Sequence, residues 1–125
     1  MRYLLDSDIV IDYLRNYRPT IDKLDNLLKQ DDDLFISAIT NLELHAGESI
    51  TQTETLNKIN DLFSRLSTVE VNLEIAGLAG DFRRTYKTAI PDALIAACAF
   101  SIEAALVTKN IKHFQTIKEI KIKKL

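Results

Sequence analysis

Four short stretches of this 125-residue chain hold the side chains that could do chemistry. Asp6 closes the apolar run Tyr3-Leu4-Leu5, and Glu43 lies one turn into the segment that follows Leu34-Phe35-Ile36. Asp92 opens the alanine-rich stretch 93–99, and Thr108-Lys109-Asn110 follows Ala105-Leu106-Val107. Carboxylates gathered from distant segments repel one another, and folding bears that cost unless a cation or protons neutralise them. Oxygen ligands with no accompanying His/Cys set favour Mg2+ or Mn2+ over zinc. One or two such ions orient a phosphodiester, activate water and stabilise charge on the leaving oxygen. The chemistry implied is metal-dependent phosphodiester hydrolysis.

Each acid also has a plainer reading. Thr40-Asn41-Leu42-Glu43 has the form of a capping box, in which Glu43 only satisfies a helix N-terminus. Asp92 beside Pro91 suits any helix start, because negative charge there complements the helix dipole. Asp6 can cap the helix after the first strand, and Asp12, four residues beyond Asp8, is expected on a solvated face. The set argues for chemistry, since capping alone does not require every strand-end cap to be acidic.

The elements that must position these residues follow from periodicity. Tyr3-Leu4-Leu5, Leu34-Phe35-Ile36, Val69-Glu70-Val71 and Ala105-Leu106-Val107 read as strands, with 117–125 as a half-exposed edge strand. Helices are expected after the first strand, from Thr20, from Thr40, along the Leu56, Ile59, Phe63, Leu66 stripe behind the capping pattern Thr51-x-x-Glu54, and over 73–88 and 91–102. Alternating strands and helices imply an α/β fold with a mostly parallel sheet of four to five strands. In such sheets, sites lie outside the carboxyl ends of the strands, where the acids fall.

Composition narrows the class. The length suits one domain spanning 1–125, and no low-complexity tract or repeat divides it. A net charge of −2 excludes a broadly basic nucleic-acid coat, but the charges are sorted: residues 1–80 hold 7 Lys/Arg against 14 Asp/Glu, and 81–125 hold 9 against 4. The lone Cys98 excludes an internal disulfide and a Cys-cluster zinc site, and it reads as a small core residue. With no apolar leader or membrane-length stretch, a cytoplasmic protein is expected. Gly77 and Gly80 read as sites of close helix packing, and Tyr3, Tyr13, Phe35, Phe63, Phe82, Tyr86 and Phe100 as core or dimer contacts.

Four blocks, in order, carry a family likeness: Leu4-Leu5-Asp6-Ser7-Asp8-Ile9-Val10-Ile11; Ile36 through Gly47, containing Thr40-Asn41-Leu42-Glu43; Ile90-Pro91-Asp92-Ala93-Leu94-Ile95-Ala96-Ala97; and Leu106-Val107-Thr108-Lys109-Asn110. Together they resemble the PIN-domain ribonucleases, and within these the VapC-type toxins of bacterial toxin–antitoxin pairs. The resemblance implies a PIN-like, Rossmann-like three-layer fold with the sheet flanked by helices, and endonucleolytic cleavage of RNA at an acidic Mg2+/Mn2+ site, with Asp6, Glu43 and Asp92 as catalytic and metal-holding carboxylates. It implies a supporting hydroxyl at Ser7, and Asp8 stands where many members have Asn. Relatives often carry a fourth acid where this chain has Asn110 or His113. Asn110 then orients a water or a carboxylate, and His113 is a ligand, a phosphate contact or a surface residue. Lys109 and Lys112, with Arg83, Arg84 and Lys87, are candidates for the RNA backbone. A cognate antitoxin and a homodimer are the partners implied.

Two other functions fit parts of the pattern. A PIN fold that has lost catalysis would only bind RNA or a protein, and the missing fourth acid is its support. A haloacid-dehalogenase-like phosphohydrolase would use Asp6 as nucleophile and Asp8 as acid/base, but needs a downstream Lys and a further acidic pair that Asp92 does not supply.

Overall fold

Tyr3 and Leu5 turn to one side of the first strand and Leu4 to the other, so both faces of the sheet must be covered. The computed structural model, which describes residues 1–28, 32–47 and 52–125, covers them with helices. In chain order the elements are β1 (Arg2–Leu5), α1 (Ser7–Leu14), α2 (Arg18–Leu28), β2 (Asp33–Ser37), α3 (Ala38–His45), α4 (Thr53–Arg65), β3 (Ser67–Val69), α5 (Leu73–Tyr86), α6 (Ile90–Ser101), β4 (Ala105–Thr108), α7 (Ile111–Phe114) and β5 (Lys121–Lys124).

The five strands pair in parallel in the order β3-β2-β1-β4-β5. β1 is central, with Leu5 in register with Ile36 on one side and Val107 on the other. The chain builds outward from β1 to β2 and β3, then returns to lay β4 against β1's other edge. That reversal puts the ends of β1 and β4 at the switch point where α/β sheets open a crevice.

Behind one face lie α5, α6 and α7, with Leu4, Phe82, Leu106, Phe114 and Ile117 buried between them and the sheet. Behind the other, Leu5, Ile9, Val10, Leu24, Ile36, Ile59 and Val107 join the sheet to α1, α2 and α4. Residues 95–99 of α6 are at most 1% exposed, and small side chains at 96, 97 and 99 let this helix lie close to its neighbours. Cys98 belongs to this core, and burial pushes its thiol up to about 11.

Several expectations need correction. β3 is Ser67–Val69, not 69–71, because residues 67–69 are those that pair with Phe35, Ile36 and Ser37. β5 occupies only Lys121–Lys124 of the expected edge strand, while Ile117 is buried against the core. The short α7 has too few residues for a periodic signal. A Cβ at Gly77 or Gly80 would meet nothing within 4 Å, so neither glycine serves close packing within the chain. Phe100 is 45% exposed. Thr51 of the expected capping pattern lies outside the described residues, and the cap of α4 is Gln52, with no side-chain hydrogen bond.

The tight seat of α6 is open to measurement by urea denaturation. Ala97→Leu should destabilise the protein by about 1–3 kcal/mol through overpacking, whereas Ala76→Leu, on the exposed face of α5, should fall within about 0.5 kcal/mol of the parent. Equal midpoints for the two variants would contradict this packing.

Candidate functional site

The backbone N–H of Asp6 donates to the Val107 carbonyl at 2.9 Å, so β1 stays paired up to the residue whose carboxylate leaves the sheet. There Asp6 caps α1: its Oδ1 accepts from the Ser7 N–H at 2.8 Å, and its Oδ2 accepts from the Thr108 hydroxyl at 2.8 Å. Only 7% of Asp6 is exposed. Burial, and then the negative charge of Asp8, push its carboxyl from the ordinary 3.8 up to about 6, with Asp92 adding to the shift. The two hydrogen bonds oppose this without cancelling it.

Asp8, in the first turn of α1, completes the β4 side. Its Oδ2 accepts from the Lys109 backbone N–H at 2.8 Å and lies 3.4 Å from the Thr108 hydroxyl. Its Oδ1 is buried and has no hydrogen-bond partner among the described residues. Such an orphaned acceptor is costly unless something outside the chain satisfies it.

Glu43 reaches the same region from α3 and is not a cap. Ser37 caps α3, its Oγ accepting from the Thr40 N–H at 3.2 Å, so the helix begins at Ala38 and Glu43 falls in its second turn. The capping-box reading mistook Thr40 for the helix start. Ser7 Oγ instead donates to Glu43 Oε1 at 2.8 Å. An ionised carboxylate only accepts, so the Ser7 proton is committed to Glu43. The Thr40 hydroxyl, 3.0 Å from Ser7 Oγ, is then its donor, and Ser37, 3.4 Å from Thr40, supplies Thr40 in turn. Three hydroxyls thus point their protons one way, toward Glu43.

Asp92 lies in the first turn of α6, behind Pro91. Burial raises its carboxyl, and His113 Nδ1, 3.4 Å from Oδ2, pulls the other way. The N–H of Asn110 donates to Thr108 Oγ1 at 3.0 Å; this residue holds the N-cap position of α7 without a side-chain cap bond. The basic residues are distributed differently. Lys109 Nζ pairs with Asp12 Oδ2 at 2.5 Å, and Asp12 also accepts from Thr20 at 2.7 Å, so Asp12 is a fixed ion-pair partner and not a solvated acid. Arg83 donates to the Thr88 carbonyl at 2.7 Å and Arg84 pairs with Asp81 at 2.9 Å, while Lys87 closes α5 in the left-handed conformation. Lys112 is exposed on α7.

Direct bonds therefore join Asp6, Asp8, Ser7 and Glu43 to Thr108 and Thr40, and Asp92 reaches Asp6 through its charge. Thr108, within one of the four stretches singled out, and Thr40 are both fully buried, and neither was given a role in the site. Their signal was a polar residue inside an otherwise apolar segment, since a buried hydroxyl must find a partner. Among the described residues, no three of His, Cys, Asp and Glu form a group that would hold one ion directly. The donor set still fits Mg2+ or Mn2+: Mg2+ keeps several waters and takes one or two carboxylates, and the orphaned Asp8 oxygen and the charge-strained Asp6 both lack a cation.

Comparison with known proteins points the same way. The PIN domain family model matches residues 3–120. Ribonuclease VapC1 of Haemophilus influenzae is 33% identical over 129 aligned positions, covering 96% of this chain and 95% of the relative. Ribonuclease VapC19 of Mycobacterium tuberculosis is 30% identical over 116, covering 89% and 90%. Among solved structures, VapBC2 from Rickettsia felis bound to a promoter DNA fragment aligns with a TM-score of 0.86 at 26% identity, covering 100% and 99% of the two chains. VapBC-1 from nontypeable H. influenzae aligns with a TM-score of 0.82 at 30% identity, covering 99% and 98%.

The shifted Asp6 carboxyl gives a signed stability effect. The folded state holds this proton more tightly than the unfolded chain, so ionising Asp6 costs nothing below about pH 3.8, progressively more toward pH 6, and its full amount above. Asp6→Asn should therefore gain about 1–3 kcal/mol relative to the parent between pH 4 and pH 7.5 in EDTA. Added Mn2+ at pH 7.5 should raise the melting temperature of the parent more than that of the variant. A pH-independent difference in thermal denaturation would contradict the electrostatic account.

Proposed function

This chain belongs to the PIN domain family, and on that premise we propose that it is a Mg2+- or Mn2+-dependent endoribonuclease, the toxin of a toxin–antitoxin pair, with Asp6, Glu43 and Asp92 as its catalytic and metal-holding carboxylates. The observation that carries the reading is the buried carboxylate cluster at the switch point of the sheet, seen in the Asp6 carboxyl, raised by burial and then by the charge of Asp8, and in the buried Asp8 oxygen without a partner among the described residues. A divalent ion bound there supplies Lewis acidity at the scissile phosphate and an activated water.

The chain's own residues set the geometry. Ser7 holds Glu43 and Thr108 holds Asp6, so two carboxylates from distant segments stand oriented before substrate arrives. Asp8, fixed by the Lys109 N–H, adds an acid beside them. Asn110 offers a neutral amide at the same edge, to hold a water or a carboxylate. Backbone contact falls first to Lys112 and Lys87, because the other candidates, Lys109, Arg83 and Arg84, already have partners and must exchange them to meet a phosphate. So few free cations imply a shallow dependence of RNA binding on salt.

The partners follow from the relatives, whose solved structures include VapBC complexes and a toxin–antitoxin complex from Klebsiella pneumoniae. An antitoxin that places a basic side chain among the carboxylates suits the charge of this site. A homodimer is supported by α5, where Leu73 is 92% exposed and Gly77 and Gly80 leave the helix face open. The use of Asp6 as a phosphorylated nucleophile is disfavoured, because the further acidic pair that such chemistry needs is missing: Asp92 has no neighbouring acid.

The test is cleavage of labelled RNA by the purified chain in Mg2+ or Mn2+. Activity should disappear in EDTA and fall at least about a hundredfold in Asp6→Asn and Asp92→Asn, and about tenfold in Ser7→Ala, which frees Glu43 to rotate. Cuts that persist in EDTA and in both aspartate variants would overturn the assignment. Metal-stimulated RNA binding without any cut would favour a catalytically lost PIN fold.

A further inference from the structure

One exposed aromatic residue near the acidic edge has no part in the core. Tyr17 is 51% exposed, and its backbone is fixed on both sides. Asn16 turns the chain between α1 and α2 with a φ of 58°, the Tyr17 N–H donates to the Asp12 carbonyl at 2.9 Å, and the Tyr17 carbonyl accepts from the Ile21 N–H at 3.1 Å. Lys109 Nζ lies 5.5 Å from the centre of the ring and is itself anchored to Asp12. The backbone N–H of that same lysine donates to Asp8. A single residue therefore touches the carboxylate cluster with its main chain and the Tyr17 ring with its ammonium.

Tyr17 lies outside the core, so truncating it removes little more than its exposed contact with the Lys109 ammonium. Its properties are those of a stacking platform: a flat ring held in one orientation, polarised by the cation over it, and set about one lysine side chain from the acidic site. We propose that Tyr17 stacks on a nucleobase of single-stranded RNA near the scissile phosphate, and that Lys109 and Asp12 position the ring for it. This rests on the nuclease reading and deepens it: the carboxylates act on the sugar–phosphate backbone, which is alike at every nucleotide, whereas Tyr17 grips a base. The role of Lys109 changes accordingly, from a phosphate contact to the brace between site and platform.

The test is a cycle between protein and RNA. Single-stranded oligonucleotides bearing an abasic residue at each position in turn are cleaved by the parent, Tyr17→Phe and Tyr17→Ala, and binding of the same oligonucleotides is followed by fluorescence anisotropy in Ca2+. With intact RNA, Tyr17→Ala should weaken binding and raise KM by about tenfold, while Tyr17→Phe keeps most of the parent's affinity. For the parent, one abasic position should reproduce that loss, and the same position should cost Tyr17→Ala little more. All three proteins should melt within a few degrees of one another. An unchanged abasic profile in Tyr17→Ala, or equal losses in Tyr17→Phe and Tyr17→Ala, would overturn the platform. If the parent cleaves no RNA, the nuclease reading fails by itself, and the binding cycle still decides whether Tyr17 engages a base.

Discussion

Burial of carboxylates at the end of the central strand is the constraint around which this molecule is organised. Asp6, Asp8, Glu43 and Asp92 come from three separate regions of the chain; hydrogen-bond donors hold the first three, and His113 stands 3.4 Å from Asp92. The donors are short and local: a helix N-terminus for Asp6, a turn N–H for Asp8, and serine and threonine hydroxyls for Asp6 and Glu43. The Lys109 ammonium, whose backbone N–H meets Asp8, is drawn away to Asp12. Neutralisation is thus left incomplete inside a firmly built frame, a poor arrangement for stability and a suitable one for binding a hard cation.

The frame itself was largely legible from the chain. Apolar triplets followed by helical stripes mark β1, β2 and β4, because a strand buried on both faces has no polar alternation to confuse it. The weaker elements were misplaced for the matching reason. β3 sits where Ser67 and Thr68 pair with β2, although its apolar signal lies further on at Val69 and Val71, and α7 is a single turn.

The site was legible in residue type but not in support. The end of β1 selects Asp6 and the helix start at Pro91 selects Asp92 without coordinates, whereas Glu43 looked like a cap because Thr40 stands three residues before it. The helix starts earlier, at a serine that a capping rule could equally have chosen, and only the packing of Ser7 against α3 shows which acceptor Glu43 serves. Asp12 and Lys109 were separately read as solvated acid and substrate-binding cation. Their pairing spans 97 positions, and no local pattern reports such a contact. Open space beside Gly77 and Gly80 carries a similar lesson, since a glycine pair in a helix can face outward as readily as inward.

The strand order has a consequence for when the site can exist during synthesis. β1 is made well before β4, yet the Thr108 hydroxyl and the Lys109 N–H that hold Asp6 and Asp8 belong to β4 and the turn after it. Until those residues have emerged, the central strand lacks one neighbour and the two aspartates lack these donors. A nascent chain therefore carries Asp6, Asp8 and Glu43 long before it carries an assembled site. The central position of β1 acts as a timer that delays completion until residues 108 and 109 have been made.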